Sequence, residues 1–206
     1  MKVIGIACSP LARSSSLKAV EEFLRGAAEA GHETELIKLG DDLKGCTGCQ
    51  GCKQENSGFC VQKDVLSRYF ELLPEAGAVV VGAANYMGWP MGQAWTFMNR
   101  HYCVANGGGP ERTFKIEAGK RLFTFFAQGN PDEEFYVKNY EVLCKPFENY
   151  GFKTEMPVVL TRVNAEEKLE LAYAMGKELL TEAEPAEEPP CGGAKRGSAS
   201  GITAST

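Results

Sequence analysis

Four of the eight cysteines in this 206-residue chain lie close together in one short stretch. They form the pattern Cys-x2-Cys-x2-Cys-x7-Cys, at Cys46, Cys49, Cys52 and Cys60. The residues between them are largely glycine and polar residues, a composition that is typical of a tightly turning loop and not of a helix or a strand. Because thiolates spaced three residues apart on such a loop can all point at one centre, the stretch is a candidate metal or redox site.

The residues alone leave four interpretations of this loop open. The close triplet followed by a more distant cysteine matches the way in which iron–sulfur clusters are held, and we favour this interpretation. Zinc also takes four thiolates, but its sites usually combine two separated Cys-x2-Cys pairs. Disulfides are disfavoured because Met1 and Lys2 run directly into an apolar segment without a secretory signal, which predicts a cytoplasmic protein. Four unligated thiols at the surface are the last interpretation.

The overall composition argues against several classes of function. With 22 Lys and Arg residues against 27 Asp and Glu residues, the net charge is −5, which offers no broad basic surface for nucleic acid. The longest apolar runs fall short of the roughly 20 residues that a membrane-spanning helix needs. We therefore expect one domain of ordinary size that binds neither nucleic acid nor a membrane.

Strand and helix patterns alternate along the chain. Short runs rich in apolar and β-branched residues predict five strands, with cores at 2–7, 33–39, 78–81, 121–127 and 158–160. Apolar residues at helical spacing predict five helices, at 17–30, 65–73, 93–100, 133–150 and 165–180. On the fourth helix, the residues predicted to share the buried side are Phe135, Val142, Leu143 and Phe147. The alternation predicts an α/β fold, a doubly wound five-stranded parallel sheet with helices on both faces.

The domain boundaries follow from the same pattern. Residues 1–181 are predicted to form a single domain, into which the cysteine loop at 45–61 is inserted. The segment 182–206 is rich in Glu, Pro, Gly, Ser and Ala. It is predicted to be disordered because it has too little apolar surface to bury.

A polar loop follows the first predicted strand and precedes the first helix. It begins at Ser9, and the hydroxyls of Ser14, Ser15 and Ser16 stand where helix N-caps belong. Free backbone amides and the positive end of the helix dipole converge at such a place, and Arg13 adds a positive charge. The loop is therefore a candidate phosphate site.

The loops after the third and fourth strands differ from ordinary polar turns. The loop from Asn85 to Trp89 contains two aromatic side chains and a methionine, which can line a flat ligand. Gln128 and Gly129 follow the neighbouring fourth strand. In an open parallel sheet, ligands bind at the carboxyl ends of the strands, where these loops meet. Because flavin mononucleotide (FMN) combines a phosphate with a planar ring, we predict it as the ligand.

These motifs resemble those of a known family. Ser9-Pro10 and the three serines that follow are similar to the phosphate loop of the flavodoxin-like NADPH-dependent FMN reductases. Tyr86-Met87-Gly88, followed by Gln93 and Arg100, is similar to the family's flavin-ring loop and the helix after it. The compact cysteine motif resembles that of the iron–sulfur flavoproteins within this family. The resemblance spans about residues 1–180 and implies a flavodoxin-like fold.

The resemblance implies two redox cofactors and the residues that hold them. The implied ligands of a 4Fe–4S cluster are Cys46, Cys49, Cys52 and Cys60. The implied FMN-binding residues are Ser9, Leu11, Arg13, Ser14, Ser15, Ser16, Asn85, Tyr86, Met87, Gly88, Trp89, Gln128 and Gly129. Leu11 occupies the position of an arginine in the family, where its backbone would serve.

The implied activity is that of an oxidoreductase that transfers electrons between the cluster and FMN without a catalytic side chain. The implied partners are a ferredoxin-like electron donor and further copies of the chain, in a homodimer or homotetramer. Only two histidines are present, His32 and His101, and both are predicted at the surface or at helix ends. A Ser-His or Cys-His nucleophile pair is therefore not indicated.

Two other functions fit the same features. A cluster-free reductase of the same family would take hydride from NAD(P)H at the flavin and would reduce FMN or a quinone. A zinc-stabilised binding module would have no redox role. The metal content and the reaction with NAD(P)H distinguish these alternatives.

Overall fold

The computed structural model of the protein describes residues 1–54, 57–107 and 112–179. The tail at 182–206, predicted to be disordered, lies outside the described residues. The strands are β1 (Lys2–Ala7), β2 (Glu33–Lys38), β3 (Ala76–Tyr86), β4 (Trp89–Pro90), β5 (Ala105–Asn106), β6 (Thr113–Phe114), β7 (Arg121–Ala127), β8 (Lys153–Thr154) and β9 (Val158–Leu160). The helices are α1 (Ser15–Glu29), α2 (Val65–Leu72), α3 (Gly92–Arg100), α4 (Val137–Glu148) and α5 (Ala165–Lys177).

The main sheet is parallel, in the order β2-β1-β3-β7, with β8 and β9 both paired to the free edge of β7. β8 and β9 together stand where a single fifth strand was predicted. Pro157 lies between them and has no N–H to donate, which accounts for the interruption. β4 pairs antiparallel with the end of β3, and β5 and β6 form a separate two-stranded ribbon. The predicted doubly wound α/β fold is confirmed.

Helices cover both faces of the sheet. On one face, α1 and α5 pack over apolar side chains of β1, β3 and β7, and the other face carries α2, α3 and α4. The two helices of the first face meet backbone to backbone, because a Cβ at Gly26 would lie 2.1 Å from the carbonyl oxygen of Tyr173. Within the described part of the chain, no helix is long and apolar enough to cross a membrane.

The fourth helix differs from its prediction. It begins at Val137, because the preceding residues form turns, and the Phe135 side chain is 62% exposed. Val142 was also predicted to be buried but is 51% exposed. It lies beside the buried stripe, which Leu143 and Phe147 share as predicted. Helical spacing alone misplaced the apolar stripe, because it included Phe135 from outside the helix and Val142 from beside the buried stripe.

Both histidines are buried. His32 is 6% exposed, and its Nε2 lies 2.7 Å from the carbonyl oxygen of Leu179. His101 is 1% exposed at the end of α3. Its Nδ1 donates to the carbonyl oxygen of Phe97 at 2.8 Å, so its Nε2 accepts from the Tyr69 hydroxyl, also at 2.8 Å. Burial in this aromatic surrounding lowers the pKa of His101 to about 4.

We expect His101 to lower the free energy of unfolding by about 2 kcal/mol when the pH falls from 7 to 5. In the unfolded chain the imidazole takes up a proton near its ordinary pKa of about 6.5, whereas the buried ring stays neutral down to about pH 4. The unfolded state thus binds more protons, and stability is lost over this window as the pH falls. Urea unfolding at the two pH values measures the loss, which should be smaller in His101→Gln. An equal loss in the variant would contradict the assignment.

Candidate functional site

The loop between β1 and α1 presents backbone amides at the start of a helix. Ser14 is the N-cap of α1, and its Oγ accepts a hydrogen bond from the Leu17 amide at 3.2 Å. The other amides of the first turn have no partner within the helix and lie at the positive end of its dipole. A Cβ at Gly82 of β3 would lie 2.4 Å from the carbonyl oxygen of Ser16, so the helix start lies directly against β3. This is the geometry of an anion site.

The side chains predicted to bind phosphate differ in how far they are exposed to solvent. Ser9 and Ser16 are buried, and Ser9 Oγ accepts from the Leu11 amide at 3.3 Å. Ser15 is half-buried in the first turn of α1, whereas the side chains of Leu11 and Arg13 are exposed at the rim. Ser9 therefore shapes the loop, while Ser15 and Arg13 keep exposed surface beside the free amides of the helix start.

The predicted ring-binding loop is the turn of a β-hairpin. β3 extends to Tyr86 and pairs with β4 at Trp89, which leaves two turn residues, Met87 and Gly88, with φ of 56° and 86°. Two such residues are the mark of a tight hairpin turn, and a methionine rarely adopts this conformation. Met87 is 97% exposed, with Tyr86 and Trp89 about half exposed beside it. The turn thus holds apolar side chains out at the carboxyl edge of the sheet.

A buried tyrosine that the sequence analysis did not single out connects this turn to the loop after β7. The Tyr140 hydroxyl accepts from Asn85 Nδ2 and donates to Gln128 Oε1, both at 2.7 Å. Asn85 in turn accepts from the Gly88 amide at 3.0 Å. The Tyr140 ring stacks on Phe126 with centroids 4.2 Å apart, and burial raises its pKa to about 12. Tyr140 lies in α4, where its position among apolar residues predicts only a core side chain.

Replacing Tyr140 by Phe is expected to lower the free energy of unfolding by about 1–3 kcal/mol. The change leaves the donor Asn85 Nδ2 and the acceptor Gln128 Oε1 without their shared partner, the Tyr140 hydroxyl. FMN binding should weaken as well, since the two loops lose their link. Urea unfolding and FMN fluorescence titration measure the two effects.

Tyr150→Phe is the matched control for this change. Tyr150 is half-buried, whereas Tyr140 is fully buried, and the Tyr150 hydroxyl forms no hydrogen bond with any described residue. Equal effects of the two substitutions on stability and FMN binding would show that the Tyr140 network does not hold the loops.

The four clustered cysteines, in the segment that connects β2 to α2, lie on the wall of one pocket. Cys46 and Cys49 are exposed, Cys60 is half-buried and Cys52 is buried. Cys103 is buried and lines the same pocket. Among the described residues, no three His, Cys, Asp or Glu side chains are gathered closely enough to hold a metal ion. The thiols thus share a pocket without forming a closed ligand set.

Hydrogen bonds hold the cysteine loop against the β5–β6 ribbon. Lys115 Nζ, just after β6, donates to the carbonyl oxygen of Cys52 at 2.8 Å. Lys53 Nζ donates to the carbonyl oxygens of Tyr102, at 2.6 Å, and of Ala105. Both ammonium groups use neutral carbonyl partners, so their positive charge remains available beside the thiols. The backbone amide of Gly51 and the hydroxyl of Thr47 lower the pKa of Cys49, whereas burial raises that of Cys52.

Arg100 lines the same pocket. Its side chain is fully buried, and Nη1 donates to Asp64 Oδ2 at 2.6 Å and to the carbonyl oxygen of Lys44 at 2.9 Å. Burial opposes its charge, but the hydrogen bond to Asp64 and the nearby Cys60 raise its pKa, so it stays protonated. The resemblance placed Arg100 on the helix behind the flavin-ring loop. The structure confirms the helix and shows that the Arg100 side chain is bonded to Lys44 and Asp64, which flank the cysteine loop.

The predicted site residues therefore form two groups. The loops after β1, β3 and β7 meet at the carboxyl edge of three adjacent strands, as predicted. The cysteine pocket shares no lining residue with these loops. The chain thus has two candidate sites, one for a phosphate-bearing flat ligand and one for a thiolate-bound group.

The chain is similar to known redox proteins. Residues 1–118 of the 206 match the model of the NADPH-dependent FMN reductase family. The chain belongs to this family. Its curated relatives include the iron–sulfur flavoprotein of Methanocaldococcus jannaschii, 38% identical over 101 residues, which are 48% of this chain and 51% of that protein. The iron–sulfur flavoprotein of Archaeoglobus fulgidus is 37% identical over 89 residues, 43% of this chain and 42% of that protein.

These sequence matches span about half or less of each relative's length. The fold is shared more widely. An NAD(P)H:quinone oxidoreductase from Methanothermobacter marburgensis superposes with a TM-score of 0.69 over 86% of this chain and 98% of that one, at 18% identity. At this identity the likeness shows the family's flavodoxin-like fold alone.

Proposed function

We propose that this protein is an FMN-binding oxidoreductase that transfers electrons between FMN and a 4Fe–4S cluster held by Cys46, Cys49, Cys52 and Cys60. The observation that carries the proposal is the placement of these four thiols on one pocket wall, in a chain of the FMN reductase family. The names of its curated relatives support it.

The residues around the flavin loops suit FMN in kind and in place. The amides at the start of α1, with Ser15 and Arg13, would bind the phosphate. The backbone of the Met87–Gly88 turn and the exposed rings beside it would hold the flavin ring. Gln128 is buried and hydrogen-bonded to Tyr140, so the exposed backbone of Gly129 beside it would contact the ring's polar edge. When bound, FMN supplies a centre that takes up one or two electrons. The chain's own task is to bind and orient it, with Tyr140 fixing the two ring-side loops.

The cysteine pocket suits a cluster by its donor set and its charge. Four thiolates are the usual ligands of a 4Fe–4S cluster, and together they carry negative charge. Arg100, which pairs with Asp64, lines the pocket, and Lys53 and Lys115 hold positive charge beside the cysteine loop through bonds to backbone carbonyls. Since the thiols are not yet gathered, loading would require the loop to tighten around the cluster. Amide hydrogen bonds and burial would then tune it.

The proposed partners are a ferredoxin-like electron donor or NAD(P)H. Because the two sites share no lining residue, we also propose a homodimer or homotetramer in which the cluster of one subunit approaches the flavin of another. The proposed location is the cytoplasm, where a thiolate-bound cluster is compatible with the reducing conditions.

Protein purified without oxygen tests the proposal through its iron, zinc and acid-labile sulfide per FMN, with the visible spectrum recorded alongside. We expect about four irons and four sulfides per flavin. Flavin without iron and sulfide, even after anaerobic reconstitution, would exclude the cluster. A colourless protein that retains zinc would indicate the zinc-stabilised module instead.

A second candidate is a cluster-free NAD(P)H-dependent FMN or quinone reductase. The separated thiols favour it, since the described residues form no closed metal site. The likeness to a quinone oxidoreductase is consistent with it at the level of fold. Rapid bleaching of the flavin by NAD(P)H in iron-free protein would support this candidate, whereas a flavin that stays oxidised would exclude it.

A further inference from the structure

Arg100 joins the two ends of the cysteine loop. Its Nη1 donates at 2.9 Å to the carbonyl oxygen of Lys44, shortly before Cys46. Nη1 and Nη2 also donate to the carboxylate of Asp64, shortly after Cys60, at 2.6 and 3.3 Å. Asp64 is itself the N-cap of α2, so the second end of the loop is fixed to a helix. One buried guanidinium therefore closes the base of the loop.

The same guanidinium has an unused donor. Arg100 Nε has no hydrogen-bond partner. In the described part of the chain, no other buried side-chain nitrogen or oxygen lacks one. A buried N–H without an acceptor is unfavourable, and a native protein rarely leaves one unexplained. Arg100 and Cys60 line the same pocket, and Cys60 is the pocket thiol that helps to raise the pKa of Arg100. A thiolate in the pocket would supply the missing acceptor.

We propose that Arg100 is a positioning residue of the cysteine site, which closes the loop through Lys44 and Asp64 and directs its Nε–H at the thiolate of Cys60. The proposal rests on the proposed function in that Cys60 becomes a thiolate when it binds metal. An arginine suits this task because its planar guanidinium can donate to Lys44, Asp64 and Cys60 at fixed angles, and because it stays protonated.

Three variants separate loop closure from the contact with the thiolate. Arg100→Gln removes both the anchor and the positive charge. Asp64→Asn weakens the same ion pair but leaves the charge and Nε of Arg100 in place. Arg121→Gln makes the same charge change on β7, outside the pocket, where Arg121 pairs with Glu155 at 2.7 Å.

Hydrogen exchange on the metal-free full-length protein tests loop closure. We expect amides at 44–54 and 57–64 to exchange at least about threefold faster in Arg100→Gln and Asp64→Asn than in the wild type, because both variants loosen the base of the loop. Arg121→Gln should behave as the wild type does. Unchanged exchange in Arg100→Gln would overturn loop closure.

Anaerobic titration with Co(II) alone tests the contact with the thiolate. A charge-assisted hydrogen bond from Arg100 Nε would orient and stabilise the metal-bound thiolate of Cys60, so Arg100→Gln should bind Co(II) about tenfold more weakly than Asp64→Asn does, judged by the thiolate-to-cobalt absorption. In iron-loaded protein, the cluster of Arg100→Gln should have a lower midpoint potential than that of Asp64→Asn, because a lost positive charge disfavours the reduced cluster. The expected difference is about tenfold in the reduction equilibrium, which corresponds to about 59 mV. Equal Co(II) affinities or equal potentials in the two variants would overturn the contact.

Failure of the proposed function would look different. If the wild type takes up Co(II) with these differences among the variants but never takes up iron and sulfide, the cluster is excluded and the role of Arg100 stands. If iron and sulfide are incorporated but the variants behave alike, only the role of Arg100 is excluded. A wild type that binds neither overturns both.

Discussion

Cys49→Ala is expected to remove at least about nine-tenths of the iron and sulfide from anaerobically purified protein while leaving the fold intact. The thiol is exposed, so its loss creates no cavity in the core. A 4Fe–4S cluster needs four ligands. Because Cys49 lies at the surface, water could reach the iron atom that has lost this ligand. Iron and sulfide analysis measures the loss, and thermal unfolding checks the fold.

Cys144→Ala is the matched control. Cys144 is also a free thiol, but it is buried in α4 and lies 3.7 Å from Thr124 Oγ1, outside the cysteine pocket. We expect this variant to keep its iron and its flavin. If Cys49→Ala keeps a full complement of iron and sulfide, or if both variants lose it equally, Cys49 is not a ligand.

Ser15→Asp is expected to weaken FMN binding by at least about 100-fold without destabilising the protein. Two unit charges about 4 Å apart near a protein surface repel each other by roughly 4 kcal/mol, so an added carboxylate would oppose the FMN phosphate strongly. The same carboxylate in the first turn of α1 interacts favourably with the helix dipole, so the free energy of unfolding should stay equal or rise. Fluorescence titration with FMN measures the affinity.

Two controls show whether the effect is electrostatic. Ser15→Ala removes the hydroxyl without adding charge and should weaken binding far less. Riboflavin lacks the phosphate, so its affinity should be nearly the same for Ser15→Asp and the wild type. An FMN affinity that is unchanged in Ser15→Asp would place the phosphate elsewhere, and an equal loss of riboflavin binding would indicate a damaged loop.

Features that repeat along the chain could be predicted from the sequence. The alternation of apolar runs with helical patterns predicts the parallel sheet, because each strand buried on both faces requires a helix to return the chain. The strand ends then define the three loops that face one edge. The cysteine motif was visible because ligand chemistry depends on residue type and local spacing, both of which the sequence states directly.

Features that depend on contacts between distant segments could not be predicted. Arg100 lies 36 residues beyond its partner Asp64, and nothing in the local pattern distinguishes it from an exposed arginine at a helix end. Tyr140 links Asn85 to Gln128 only after α4 has packed beside both loops. The sequence by itself determined the fold class and the residue types of the two sites. Only the tertiary structure decided which buried side chains connect and support those sites, because hydrogen bonds between remote segments leave no periodic signal in the chain.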